Sequence, residues 1–138
     1  MSKRPIALAL SLFSVLAAFS KFGPTLDAIF LDHSFMVDVY KQLTPLWFGT
    51  SADPEMLRKC VGIAEFIAAF GLVRPGLSDQ KFGATVLLFV MMFAFWSHVL
   101  MGDLYGGLVP MATGAACLHI IKRGGEKGLA FLEEVKKD

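Results

Sequence analysis

Six ionisable residues fall inside, or at the ends of, strongly apolar runs: Lys21, Arg58, Lys59, Glu65, His98 and Asp103. A charge near the centre of a membrane-inserted helix costs about 2.5–3.5 kcal/mol, so groups of opposite sign in such places are expected to meet. Arg58, Gly62, Glu65 and Ala69 follow the spacing i, i+4, i+7, i+11, which puts them on one stripe of a helix. Glu65 lies about 12 Å deeper along that helix than its first residues. Lys21, near the end of the preceding apolar run, is expected to reach Glu65, with His98 and Asp103 completing a network around Arg58 or Lys59. Such a network can fix helix register, line a small cavity for a lipid, quinone or other ligand, or shape a surface that another membrane protein recognises. The residues alone leave these three open.

Other reactive side chains are sparse. Cys60 and Cys117 lie in no CxxC or Cys/His cluster, which excludes a zinc ribbon and a secreted disulfide scaffold. Placed on their helices, they differ in depth by roughly 15 Å, whereas a disulfide needs Cα atoms within about 7 Å; they should not pair. No Ser/His/Asp triad, P-loop, GxGxxG or HExxH occurs. We therefore expect no catalytic residue, no metal ligand and no cofactor. His119 is expected to pack or to bond a carbonyl, and His33 to be exposed.

The elements that must hold the six residues are apolar and long. Of 138 residues, 55% are hydrophobic and 18% charged, and the mean hydropathy is +0.59; a soluble domain is about 45–50% apolar and about 25% charged. Four runs, about 6–22, 57–73, 82–102 and 104–121, each have the length of a membrane span. The expected fold is a single all-α domain over residues 1–138, an integral membrane four-helix bundle with a short amphipathic cap between helices 1 and 2. The cap covers 24–56, where Leu26, Ile29, Phe30, Phe35, Val39 and Leu43 suggest short amphipathic helices, and a second such stretch runs from Glu126 to Asp138. The basic start, apolar run and Ala-Phe-Ser of residues 1–20 also suit a signal peptide; we expect the run to be retained as the first span.

Orientation follows from Lys and Arg. Nine of thirteen fall on the face holding both termini and the 74–81 loop, so that face is expected to be cytoplasmic. Trp47, Trp96, Tyr40 and Tyr105 read as aromatic-belt anchors. Ala64 with Ala68, and Ala112 with Ala116, form small-residue pairs suited to close helix contact. Pro110 should kink the fourth span by freeing the Gly106 carbonyl. A net charge of +1 argues against a nucleic-acid partner; membrane lipids are the partner that composition implies.

In the order and spacing of Phe19-Ser20-Lys21-Phe22, Leu57-Arg58-Lys59-Cys60-Val61-Gly62-Ile63-Ala64-Glu65 and His98-Val99-Leu100-Met101-Gly102-Asp103, the chain resembles the DoxX-like membrane proteins. Within them it is most similar to the branch of the novel acetylcholine receptor chaperone (NACHO). That resemblance covers about residues 10–123. It implies a four-helix bundle resident in the endoplasmic reticulum that assists folding and assembly of nicotinic acetylcholine receptor subunits, with Lys21, Arg58, Lys59, Glu65, His98 and Asp103 as the matching positions. The chain departs from that branch in its short tail and in a Gly/Pro/Ala-rich fourth span. The wider DoxX-like group also implies a second class of function, a quinone- or sulfur-linked redox membrane subunit. A third reading is a small lipid- or ligand-binding membrane protein.

Overall fold

Proline, glycine and acidic caps set the helix limits. In the computed structural model, residues 4–22 and 33–135 are described, and they form five α-helices with no strand among them. Helix α1 spans Arg4–Phe22, α2 His33–Phe48, α3 Pro54–Val73, α4 Leu77–Leu100 and α5 Leu108–Val135. Asp53 caps α3: its side chain accepts from the Glu55 N–H at 3.0 Å while Pro54 opens the first turn. This is the arrangement that an orphan N–H and a residue without one favour, and it starts α3 three residues before the apolar run does.

Several expected limits shift. Helix α4 begins at Leu77, five residues before the apolar run, because Asp79 and Gln80 add a polar first turn. It ends two residues early, since Met101 caps it and Gly102 turns the chain at φ +76°, a conformation that suits glycine. The fourth apolar run gives up 104–107 to this turn, and α5 starts at Leu108. Pro110 then falls in the first turn of α5, where its missing N–H breaks no helical bond, so the expected disruption at Gly106 does not arise inside a helix. Helix α5 runs on unbroken through Val135, replacing the separate tail stretch expected from Glu126. The cap is one helix of 16 residues, α2, with Pro45 inside it. Leu26, Ile29 and Phe30 lie outside the described residues.

The long helices stand side by side in chain order. Helix α1 packs on α3, α3 on α4 and α4 on α5, while α1 and α5 touch lightly and α2 lies against α3. The α3–α4 crossing is the tightest. A Cβ on Gly83 would meet the Ala68 carbonyl oxygen at 2.6 Å and the Leu72 nitrogen at 2.7 Å, and one on Gly71 would meet the Gly83 Cα at 2.9 Å. Here backbone touches backbone, as small residues at a helix contact permit. Ala68 and Ala84 are fully buried beside it. Of the expected small-residue pairs, Ala64–Ala68 lies at this face, whereas Ala112 is exposed and Ala116 half-buried on α5.

The interior is divided along the bundle axis. Ala7, Leu10, Leu72, Leu87, Met91, Cys117 and Ile120 fill the end that holds the start of α1. Toward the other end the polar residues Lys21, Arg58, Glu65, Thr44 and Ser97 are buried, beside Ala17, Ala18, Tyr40 and Leu43. Large apolar side chains face outward: Leu8 and Leu12 on α1, Ile63, Ile67 and Phe70 on α3, Phe82, Phe89, Met92 and Trp96 on α4, Met111 and Leu118 on α5. Among the described residues one helix, α4, is long and apolar enough to cross a membrane; the apolar part of α1, Pro5–Phe19, is shorter. Arg58, Lys59 and Glu65 interrupt the apolar run of α3, and the shortened start of α5 soon meets Lys122 and Arg123.

Candidate functional site

The spacing of Arg58, Gly62, Glu65 and Ala69 turns all four inward on α3, and all are buried. Glu65 faces the last turn of α1, where Lys21 is the basic residue. The Lys21 ammonium donates to Glu65 Oε2 at 2.8 Å, to Oε1 at 2.9 Å and to the Ala17 carbonyl at 3.1 Å. An ammonium has three N–H donors, so each is used. The pair is 6% and 2% exposed, a burial that is tolerable only because the charges are matched and hydrogen-bonded. Two turns earlier on α3, Arg58 donates to the Lys21 carbonyl. That oxygen belongs to the last turn of α1, which lacks helical donors and carries partial negative charge. Ser11 adds a tie from α1 to the Ala69 carbonyl at 3.0 Å.

His98 and Asp103 form a second, separate pair. His98 Nδ1 and Asp103 Oδ2 lie 3.0 Å apart, and Asp103 Oδ1 accepts the Gly106 N–H at 2.9 Å. The Asp103 N–H in turn donates to the His98 carbonyl at 2.9 Å. Together these contacts close the turn from α4 to α5. The Gly106 N–H, and then the His98 ring, hold the Asp103 carboxyl below its ordinary range.

The two pairs share one space. A cavity of about 520 Å³ is lined by Lys21 from α1, Asp38, Tyr40, Gln42 and Leu43 from α2, Val61 and Glu65 from α3, Phe93, Ser97 and His98 from α4, and Asp103 from the turn. Helix α2 closes one side. Its Trp47 donates to Ser97 Oγ at 3.1 Å, its indole lies 5.0 Å from the Phe93 ring, and Ser97 donates to the Phe93 carbonyl at 2.6 Å. Tyr40 is 6% exposed; burial, and then the Glu65 charge, raise its phenol above the ordinary range.

Of the six expected residues, Lys21 and Glu65 meet each other, and Arg58 meets the Lys21 carbonyl where His98 and Asp103 were the expected partners. His98 and Asp103 meet each other and do not bond Arg58 or Lys59. Lys59 corrects the expectation outright: its side chain is exposed and pairs with Glu55 at 2.7 Å on the same helix. Consecutive residues on a helix point about 100° apart, so Arg58 turning inward sends Lys59 outward. Tyr40 is a wall residue and not a belt anchor, and Trp47 is bonded to Ser97; Trp96 and Tyr105 remain exposed. His119 is exposed, Cys60 is exposed, and Cys117 is buried in the apolar core, both thiols being free. The residues that sequence reasoning missed are Tyr40, Trp47, Ser97 and Asp38. The i, i+4 spacing of Tyr40 and Thr44, both buried, was the available signal for an inward face of α2. No protein-family model matches the chain, and no curated protein or solved structure matches it.

Proposed function

We propose that the chain is an integral membrane four-helix bundle that assists the folding and assembly of partner membrane proteins, the partner class being nicotinic acetylcholine receptor subunits and the compartment the endoplasmic reticulum. In this reading α1, α3, α4 and α5 cross the bilayer, α2 is the cap on the non-cytosolic side, and both termini face the cytosol. The observation that carries the membrane part is the inverted distribution of polarity: Lys21, Arg58 and Glu65 are buried while Leu12, Ile67, Phe70, Phe89 and Trp96 are exposed. Water would reward the opposite arrangement. Helix α4 adds to this. Only 33% of its most apolar window is buried, whereas the core helix of a soluble protein would hide most of it.

The chaperone part rests on the resemblance; five of its six matching positions fall into two bonded groups, Lys21 with Arg58 and Glu65, and His98 with Asp103, Lys59 standing apart. The outward apolar faces of α3 and α4 are then the surfaces for a partner's transmembrane helices, which would pack on them by shape. The test is co-expression of nicotinic receptor subunits with and without this chain, reading assembled receptor at the cell surface. Assembled receptor should rise with the wild type and fall back with Glu65→Ala. An unchanged yield with the wild type overturns the reading.

A further inference from the structure

We propose that the cavity between α1, α2, α3 and α4 binds an amphiphilic cation, a protonated amine carried on a hydrocarbon body, with the amine at Asp38 and Asp103 and the body along Val61, Phe93 and Ala94. This goes beyond assistance to a partner protein and does not depend on it. The volume, about 520 Å³, is within the roughly 300–1,000 Å³ of small-molecule sites, and such sites are mainly apolar with a few placed polar groups.

The polar groups decide the sign of the ligand. Lys21 lines the cavity, but its three N–H donors are spent on Glu65 and Ala17, so it has none to offer an anion. Glu65 is neutralised by the same contacts and is 2% exposed. The other carboxylates at the wall are Asp38, on α2, and Asp103, in the α4–α5 turn beside the His98 ring. Each carboxylate retains acceptor capacity. Among the described residues Asp38 pairs with Lys41 at 3.5 Å, an exposed contact between neighbours on α2, and Asp103 uses one oxygen on the Gly106 N–H and the other on His98. Three carboxylates, one ammonium and the His98 ring therefore line the space; the Lys21 charge cancels one carboxylate, and Lys41, outside the lining, lies beside another. The Phe93 ring supplies a face that attracts an ammonium. A carboxylate or phosphate ligand would meet net negative charge and no free ammonium.

The test uses the full chain in detergent and three probes with one tail: dodecylamine, dodecanol and laurate. Trp47 reports on the site because it contacts Phe93 and Ser97, both in the cavity wall. A Trp96→Phe background leaves Trp47 as the single tryptophan. Dodecylamine should change the Trp47 emission saturably, at concentrations well below those at which dodecanol or laurate do. Asp38→Asn with Asp103→Asn should weaken the amine response by about tenfold, the loss of two partly screened ion pairs, and leave the dodecanol response in place. Asp38→Asn alone changes an exposed side chain, so it separates lost binding from lost folding and should weaken the amine by a smaller factor. Equal responses to the three head groups, or an amine response unmoved by both substitutions, overturns the proposal.

Discussion

Lys21–Glu65 and His98–Asp103 are nearly matched as contacts, 2.8 Å and 3.0 Å, yet they do different work. The first joins helices 44 residues apart in sequence, with both side chains under 10% exposed. The second joins residues five apart at the end of one helix, with the carboxylate 53% exposed. Distance is the same; solvent is not. A pair cut off from water cannot lose one member without leaving a charge that nothing else solvates. A pair in contact with water exchanges one partner for another at small cost. The buried pair therefore locks tertiary structure, and the exposed pair shapes a turn and leaves its acid available at the cavity wall.

This contrast can be broken in order of expected size. Glu65→Ala should destabilise the protein by about 3–5 kcal/mol, because the Lys21 ammonium is left buried and unpaired. Thermal melting in detergent reads this, and a melt like that of the wild type would refute the pair's burial. The double replacement Lys21→Met, Glu65→Leu should lose much less than Glu65→Ala alone, since no charge is then stranded; a double mutant as unstable as the single one would mean that packing, not charge, is the cause. Arg58→Met keeps the stem and removes the donors to α1, for a loss of roughly 1.5–3 kcal/mol.

Asp103→Asn should leave the melt almost unchanged, because the amide oxygen can still accept the Gly106 N–H. The finest test is a titration. The Asp103 carboxyl sits below its ordinary 3.8, so the folded turn gains stability above the unfolded value and loses it as pH falls through the lower folded one. The Gly106 amide resonance should therefore titrate with a midpoint under 3.8. A midpoint at or above that value would show the turn contact to be absent in solution.

The buried pair was legible because Lys21 and Glu65 are isolated charges in apolar helices, and because a period of 3.6 residues puts Arg58 and Glu65 on one face. The same period, applied to Lys59, would have sent it outward to its i−4 partner Glu55; counting it with Arg58 as one basic pair concealed this. The His98–Asp103 contact is local, and its turn depends on a positive φ at Gly102 and an N–H at Gly106, neither of which apolar patterning reports. The α5 start moved for that reason, and Pro110 with it. The close approach of Gly71 and Gly83 was not legible, because it depends on which faces of two helices meet, and each glycine by itself is only a weak helix residue.

That crossing limits how the bundle can breathe. Where side chains separate two helices, a change of rotamer gives them play; where backbone rests on backbone, no such slack exists. Near Gly71 and Gly83 the two helices are bound to shift as a single lever. The Trp47–Ser97 bond between α2 and α4 is, by contrast, a side-chain tie that a change of rotamer can release.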